Sequence, residues 1–226
     1  VRLVGSEMCI RDSNKDVKMI DKLLKTTLHQ VHVGSNAKLV PFAGWDMPIQ
    51  YSSILDECNA VRNNSGIFDV SHMGRFMISG SKSAEALDKI LSIDPNLLKK
   101  GQGKYNLICN SNGGIIDDCI VYKIAEEEFL LVPNASNADK VYKWIKQNTK
   151  DLDFNIDIIT SNTSMIALQG PKSLSILNDV IPDMPEIKRF RFVEHEFQST
   201  QMIIARTGYT GEDGVEIILE NSIAIN

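Results

Sequence analysis

Two adjacent carboxylates stand inside an otherwise apolar stretch of the chain. The segment NGGIIDDCIVYK, residues 112–123, carries Asp117 and Asp118 in a run that favours burial. Aspartate is depleted in strands, and an unpaired buried charge is costly. A buried carboxylate that is given a partner can serve as an acid, a base or an anchor for a polar ligand. These two aspartates are therefore the first candidates for chemistry.

Strand alternation separates the roles of the two aspartates, because successive side chains point to opposite faces. One face is predicted to carry Ile116, Asp118, Ile120 and Tyr122. Asp117 lies closer to the Gly-Gly turn, and we interpret it as an acid that caps backbone amides near that bend. Asp118 lies deeper among bulky apolar side chains and is the candidate site residue. The competing interpretation of Asp118 is a structural network, since such networks also bury acids.

Two further stretches hold candidate residues. RTGYTGEDGVE, residues 206–216, packs three glycines and an aromatic residue into a loop between strands and ends at Glu216. An acid there could bind a guanidine-like edge through two parallel hydrogen bonds, although a cross-strand salt bridge is an equal alternative. His72 is a lone histidine with no evident serine or cysteine partner, and we interpret it as a structural hydrogen bonder.

Local patterns predict the elements that position these residues. Helical spacing covers Met19 to His32, and a second helix is predicted from the N-cap Ser53 to Asn63. Residues 37–42 are predicted as a strand and AGWDMP, residues 43–48, as a loop. A β-hairpin is predicted for residues 105–109 and 115–122 around the turn Asn112-Gly113-Gly114.

The chain also repeats itself at an offset of 90 residues. ISGSKSAEALDKI (residues 78–90) and LQGPKSLSILNDV (residues 168–180) share the pairs Gly80/Gly170, Lys82/Lys172, Ser83/Ser173 and Leu87/Leu177. Internal duplication explains such matches, and the alternative is coincidence between two common strand–turn–helix segments. The pattern predicts an α+β fold with mainly antiparallel sheets and helices packed on one face.

Composition limits the functional classes. The 226 residues are 43% hydrophobic and carry a net charge of −5, so a broad attraction to nucleic acid is not expected. No apolar run has membrane-spanning length. The four cysteines have neither zinc-site spacing nor disulfide density, which indicates a reducing compartment and no metal site. Residues 1–15 show no clear period, and we treat them as extraneous to the fold.

Several long motifs occur together in one order, and they closely resemble the aminomethyltransferase (T-protein) family of the glycine cleavage system. The motifs are VPFAGWDMPIQY, GIFDVSHMGRF, KYNLICNSNGGIIDDCIVYK, VPNASNADK, ALQGPKS and ARTGYTGEDGVEI. The match runs from about Thr27 to Leu219. The resemblance implies a folate-binding region with a duplicated antiparallel α+β unit, here residues 16–226. Family members continue into a C-terminal β-barrel domain, so we expect this chain to be C-terminally truncated.

The resemblance also implies site residues. Asp118 falls on the acid that the family places beside the reactive nitrogens of tetrahydrofolate, and Glu216 on the acid that pairs with the amino-pyrimidine edge of the pterin. Matches to pocket residues are Tyr105, Asn134 and Tyr209, with Met73 on an apolar wall. The chain departs from the family at Pro133, where relatives usually carry valine, and the family's later arginines are absent.

The implied reaction transfers a one-carbon unit to tetrahydrofolate without a metal ion. The aminomethyl group arrives on the lipoyl arm of the H-protein, ammonia is released, and 5,10-methylenetetrahydrofolate forms. The alternatives are another folate-dependent member of the superfamily, either a demethylase or the folate module of a sarcosine or dimethylglycine oxidase, or a non-catalytic folate-binding scaffold. We expect no nucleic-acid or membrane partner, and either the cytoplasm of a bacterium or, as the second choice, the mitochondrial matrix.

Overall fold

Residues 23–225 are described in a computed structural model, and they fold mainly into antiparallel strands. The helices are α1 His29–Gly34, α2 Ile54–Asn63, α3 Ser83–Asp88, α4 Ala138–Asn148 and α5 Ser173–Val180. The strands are β1 Lys38–Phe42, β2 Trp45–Gln50, β3 Gly66–Asp69, β4 Phe76–Ser79, β5 Gln102–Cys109, β6 Ile115–Ala125, β7 Glu128–Pro133, β8 Asn155–Ile158, β9 Thr163–Gln169, β10 Phe192–Phe197, β11 Thr200–Ala205 and β12 Gly214–Glu220. The expectation for residues 1–15 lies outside the described residues.

Two five-stranded sheets pack face to face. Sheet I has the order β5-β6-β7-β4-β8 and sheet II the order β10-β11-β12-β9-β3, while β1 and β2 form a separate hairpin. One buried cluster draws on the inner faces of both sheets, and we call it the inter-sheet layer. Its buried members are Tyr122, Ile124, Leu130, Val132, Met165, Phe192, Ala205 and Ile218.

The helices cover the outer faces of the sheets. Leu87 of α3 and Val141 and Ile145 of α4 share a core with sheet I. Leu177 of α5 packs with Val215 on the outer face of sheet II. The order of layers is therefore helix, sheet, sheet, helix, which confirms the predicted α+β fold with antiparallel sheets and helices on one face of each.

The repeated sequence segments have the same local geometry. Gly80 follows β4 with φ of 114° and Gly170 follows β9 with φ of 126°, a region that favours glycine. The Gly80 N–H donates to the Glu127 carbonyl at 3.0 Å, and the Gly170 N–H donates to the Asp213 carbonyl at 2.7 Å. Each serine three residues after its glycine donates its hydroxyl to the same carbonyl. The two segments are structural counterparts.

The two repeat units exchange one strand. The strand β3 precedes β4 in the chain but pairs with β9 of the other unit, and β8 precedes β9 but pairs with β4. The remaining strand orders, β5-β6-β7-β4 and β10-β11-β12-β9, are equivalent. This exchange ties the two sheets together, so the inter-sheet layer is assembled from both units.

Two predictions near the start of the described chain were wrong. The helix predicted from Met19 to His32 begins at His29, while residues 19–22 lie outside the described residues; Leu24 instead pairs with Trp45 in an isolated bridge. The predicted loop at residues 43–48 is mostly the strand β2, because Ala43 and Gly44 both have positive φ and close a tight hairpin turn. The sequence pattern did not predict this strand because it contains Pro48, and proline is uncommon inside strands.

The helix predicted after Ser53 is confirmed as α2. The Ser53 hydroxyl accepts a hydrogen bond from the Asp56 N–H, as an N-cap does. The predicted hairpin is also confirmed, as β5 and β6 pair across the turn. None of the helices within residues 23–225 combines the length and the apolar character needed to cross a bilayer.

The two equivalent glycines offer a matched test of the repeat geometry. Gly80→Ala should lose about 1–2 kcal/mol of folding free energy, because alanine tolerates positive φ poorly. Gly170→Ala should lose about 1–3 kcal/mol more, since a Cβ there would lie 2.6 Å from the Asn64 carbonyl oxygen, whereas at Gly80 the nearest atom is 3.3 Å away. Urea unfolding followed by circular dichroism measures both, and equal losses would contradict the tighter packing at Gly170.

Candidate functional site

The two aspartates of β6 face opposite sides of sheet I. Cys119 and Val121 belong to the core under the helices, which places Asp117 on that side by alternation. Ile120 and Tyr122 belong to the inter-sheet layer, which places Asp118 there. The predicted faces are confirmed except at the start of the strand. A bulge between the pairs Ile108/Asp117 and Cys109/Ile115 turns Ile116 toward the helices.

Asp117 caps a different turn from the one predicted. Its side chain is buried, with 4% exposure. One oxygen accepts the backbone N–H of Asn134 at 2.9 Å, and the other accepts the side-chain amide of Asn137 at 2.6 Å. The prediction that Asp117 caps the Gly-Gly bend was wrong, because Asn110 accepts the N–H of Gly114 there. Asp117 instead fixes the segment that follows β7.

Asp118 is half-buried, is held by the neutral Asn134 amide and has the Tyr105 phenol beside it. The Asn134 amide donates to Asp118 Oδ1 at 2.9 Å. The phenol of Tyr105, on the neighbouring strand β5, hydrogen-bonds to the Asp118 side chain. Burial raises the pKa of Tyr105, and the negative charge of Asp118 and this hydrogen bond raise it further, with Tyr209 adding a smaller effect. The structure thus places Asp118, Asn134 and Tyr105 side by side, with Tyr209 near enough to influence Tyr105.

Glu216 lies in the middle of sheet II and points into the inter-sheet layer. Its neighbours across the strands are Ala167 and Ala205, so the alternative of a cross-strand salt bridge is excluded. The side chain is 9% exposed. Within residues 23–225 its hydrogen-bond donor is the Thr207 hydroxyl. Burial raises the pKa of Glu216, and the bond from Thr207 acts in the opposite direction.

A hydroxyl chain connects Glu216 to sheet I. The phenol of Tyr122 lies 3.0 Å from the Thr207 hydroxyl, which donates to Glu216. Tyr122 is fully buried, and burial raises the pKa of its phenol well above the ordinary value. Sequence patterns did not single out either Thr207 or Tyr122 as a site residue. Tyr122 read as an apolar strand residue, and nothing local indicated its contact with the other sheet.

The two repeat units carry different side chains at the position of Glu216 and at its two neighbours across the strands. In unit one the equivalent strand positions are filled by three bulky side chains, Met77, Leu130 and Tyr122. In unit two they are filled by Ala167, Glu216 and Ala205. The second unit therefore carries an acid between two small residues, where the first unit carries an apolar patch. This local asymmetry makes the Glu216 side of the layer suited to a polar ligand.

The loop between β11 and β12 is held from three sides. The Arg206 guanidinium and the Asp213 carboxylate pair at its base. The buried Gln169 amide donates to the Thr207 carbonyl, and a Cβ at Gly208 would lie 1.9 Å from Gln169 Oε1. On the outside, Arg62 of α2 donates to the Thr210 carbonyl and pairs with Glu212 at 2.7 Å.

This loop presents Tyr209 with 75% of its surface exposed. The loop is held by Gln169 from β9 and by Arg62 from α2. Sequence reasoning identified the loop but not these two residues, which are distant from it along the chain. The half-exposed Phe190 adjoins the same region, because its carbonyl accepts the Gly103 N–H and its own N–H donates to the Arg206 backbone carbonyl.

Met73 packs against the inter-sheet layer, as expected for an apolar wall. The bend that carries it is held by Arg75, whose fully buried guanidinium donates to the carbonyls of Met73, Ser71 and Thr163, among others. Burial lowers the pKa of Arg75 to about 10. The arginine therefore remains charged at neutral pH and fixes the bend through neutral acceptors.

Within the described residues, His72 does not make the predicted structural hydrogen bond through its Nδ1. Its ring meets the ring of Phe42 edge to face, and its Nδ1 has no hydrogen-bond partner within residues 23–225. Burial lowers the pKa of His72 to about 4, so the ring is neutral at physiological pH. Among the same described residues, no cluster of three or more His, Cys, Asp or Glu side chains is arranged to hold a metal ion.

Sequence comparison places these features among known proteins. Residues 28–226 match the family described as the GCVT N-terminal domain. The aminomethyltransferase of Thermotoga petrophila is 43% identical over 197 residues, which cover 87% of this chain and 54% of that protein. The aminomethyltransferase of Thermoanaerobacter pseudethanolicus is 42% identical over 208 residues, or 91% of this chain and 56% of that protein. The chain spans about half the length of the curated relatives it matches.

Solved structures agree with this assignment of the fold. The glycine cleavage system aminomethyltransferase T from Bartonella henselae has a TM-score of 0.84 at 34% identity, covering 90% of this chain and 55% of that one. A heterotetrameric sarcosine oxidase from Corynebacterium sp. U-96 has a TM-score of 0.55 at 16% identity, covering 76% of this chain and 85% of that one. The second likeness shows a shared fold alone.

The raised pKa of Glu216 predicts a pH dependence of stability. In the folded chain this pKa lies above the ordinary 4.5, so between those two values the folded state binds more protons than the unfolded state. The free energy of unfolding should therefore fall as the pH rises from 4.5 through the folded pKa. The fall amounts to about 1.4 kcal/mol for every pH unit that separates the folded pKa from the unfolded one.

Glu216→Gln, which cannot ionise, should lose this component of the pH dependence. Urea unfolding midpoints of both proteins at mildly acidic and mildly alkaline pH measure the difference. The same pH dependence in both proteins would show that Glu216 does not titrate abnormally.

Proposed function

Because the chain belongs to the GCVT N-terminal domain family, we propose that it provides the tetrahydrofolate-binding part of an aminomethyltransferase of the glycine cleavage system. The reaction transfers the aminomethyl-derived one-carbon unit from the lipoyl arm of the H-protein, releases ammonia and gives 5,10-methylenetetrahydrofolate. The observation that carries the proposal is the pair of acids on the facing surfaces of two sheets. Glu216 is buried there without a cationic partner among the described residues, and Asp118 is half-buried beside Tyr105.

Glu216 is suited to recognise the amino-pyrimidine edge of a reduced pterin. That edge presents two parallel N–H donors, which match the two oxygens of a carboxylate. The protein supplies only the Thr207 hydroxyl within the described range, so the carboxylate retains acceptor capacity for a ligand. Burial strengthens such hydrogen bonds because little water competes for them.

Asp118 is suited to interact with the N5 and N10 end of tetrahydrofolate, where charge changes during the reaction. N5 of tetrahydrofolate attacks the methylene carbon, and ammonia leaves with the N5 proton. N10 then attacks the same carbon, the C–S bond breaks, and the N10 proton goes to the departing dihydrolipoyl thiol. A carboxylate near these nitrogens favours the positive charge that develops on them and helps to orient them. The neutral Asn134 amide holds Asp118 in one geometry, and the Tyr105 phenol lies beside it.

The remaining predicted residues complete the proposed pocket. Tyr105 and Tyr209 offer aromatic surface, and Met73 offers an apolar wall of the inter-sheet layer. We assign the lipoylated H-protein as partner and the bacterial cytoplasm as location, since the relatives named above are bacterial. The likeness to sarcosine oxidase, at 16% identity, gives no support to the oxidase alternative.

Tetrahydrofolate binding tests the proposal directly. Calorimetric titration should show binding to this chain, or to the chain extended to the length of its relatives. Glu216→Ala should weaken that binding by about tenfold or more, because two hydrogen bonds to a charged group are lost. Glu220→Ala is the control, since this acid lies on the same strand but is exposed. No binding by either length of chain would refute the proposed function.

Asp118→Asn, made in the extended protein, separates chemistry from binding. Turnover should fall by about a hundredfold or more while tetrahydrofolate affinity changes little, because the lost charge acts mainly in the transition state. Steady-state kinetics with aminomethylated H-protein and calorimetry measure the two effects. Asp157→Asn, an exposed acid on β8, is the control for charge. Equal losses in turnover and affinity would identify Asp118 as a binding anchor instead.

A further inference from the structure

One side-chain amide connects the two aspartates of β6. The Asn134 amide nitrogen has two hydrogens and three acceptors in reach: Asp118 Oδ1 at 2.9 Å, the Asp118 carbonyl at 3.0 Å and Asp117 Oδ1 at 3.0 Å. Asn134 therefore has no N–H to spare for a ligand. Its amide serves to hold Asp118 in relation to Asp117.

Asp117 is the more firmly fixed of the two acids. It is buried and accepts three hydrogen bonds from the segment after β7: the Asn134 backbone N–H, the Asn134 amide and the Asn137 amide. The adjacent backbone is also held, because Lys140 of α4 donates to the Ile116 carbonyl at 3.0 Å. A carboxylate suits this position since it offers only acceptors.

We propose that Asp117 is a positioning residue that acts through Asn134 to set the orientation of the Asp118 carboxylate. Asp117 orients the Asn134 side chain, and the Asn134 amide then occupies one oxygen of Asp118. The amide also lies between two like charges on adjacent residues, where it offsets their repulsion. The consequence for turnover rests on the function proposed above, whereas the geometry does not.

A purely structural role is the competing explanation. Asp117 caps the turn Ala135–Asn137 at the start of α4, and loss of a cap costs about 0.5–2 kcal/mol of stability without touching a reaction. The two explanations differ in what happens at Asp118. If Asp117 positions Asp118, its substitution moves the Asp118 carboxylate. If Asp117 is only a cap, its substitution leaves that carboxylate in place.

Turnover in a double-mutant cycle is the first measurement, made in the extended protein. Asp117→Asn replaces an acceptor oxygen by an NH2 group, which cannot accept the N–H groups of Asn134. The Asn134 amide should then no longer hold Asp118 in its orientation. We expect turnover to fall by about a hundredfold with little change in KM for tetrahydrofolate. In an Asp118→Asn background the same change should cause no further loss, because it acts through Asp118. Additive losses would overturn the proposal.

The Tyr105 phenol gives a second readout that needs no substrate. The Asp118 carboxylate helps to raise the pKa of Tyr105, so displacement of Asp118 should lower it. Ultraviolet difference titration reports this pKa once the trace of Tyr105→Phe is subtracted. Asp117→Asn should lower it, and Asp139→Asn, an exposed acid on α4 outside the network, should not.

Asn134→Ala guards against a variant that does not fold. It keeps the backbone N–H that bonds Asp117, so the turn stays capped while the amide link to Asp118 is lost. It should lower the Tyr105 pKa as Asp117→Asn does. A Tyr105 pKa equal to that of the parent in both variants would show that Asp117 is only a cap. Absence of any folate-dependent turnover in the parent protein would refute the proposed function and leave the titration result standing.

Discussion

The inter-sheet layer imposes the constraint on which the site depends. Both five-stranded sheets turn an apolar face into it, so a polar atom placed there must find its partner inside the layer. An unsatisfied buried group costs about 1–3 kcal/mol. Tyr122 and Thr207 satisfy each other across the sheets, and Thr207 then donates to Glu216. Within residues 23–225 Thr207 is the donor to the Glu216 carboxylate, so this carboxylate can still accept the two parallel N–H groups of the proposed ligand.

The two repeat units present nearly equivalent surfaces, and the proposed site lies where they differ. Equivalent strands carry Met77 and Leu130 in one unit and Ala167 and Glu216 in the other. Exchange of β3 and β8 holds the two surfaces against each other. A side-chain change in one unit therefore alters the layer that it shares with the other unit. Asymmetry therefore places an acid beside small residues without disturbing the repeated framework of glycine turns and helices.

Local sequence patterns predicted what local physics determines. Neighbours along the chain determine the cap at Ser53, the β5–β6 hairpin and the alternation that separates Asp117 from Asp118. Contacts between distant segments could not be predicted in that way. No sequence pattern singled out Arg75, yet it is the most deeply buried cation of the described residues because carbonyls from a turn near residue 160 close around it. The loop and strand pattern singled out Glu216, whereas Tyr209 and the role of Glu216 at a pterin edge came from the family resemblance alone.

The two acids are buried to different depths, and the difference fits two tasks. A carboxyl sealed among apolar side chains, as Glu216 is, binds an edge of fixed charge well because water does not compete. Such a buried site is poorly suited to stabilise charges that form and disappear during a reaction. Asp118 is half-buried and is held by the Asn134 amide, with the Tyr105 phenol beside it, and these neutral groups stabilise negative charge without adding a competing positive one. A lysine or arginine in the place of Asn134 would neutralise the field of Asp118, so the neutral amide is the partner that leaves this field available to the proposed ligand.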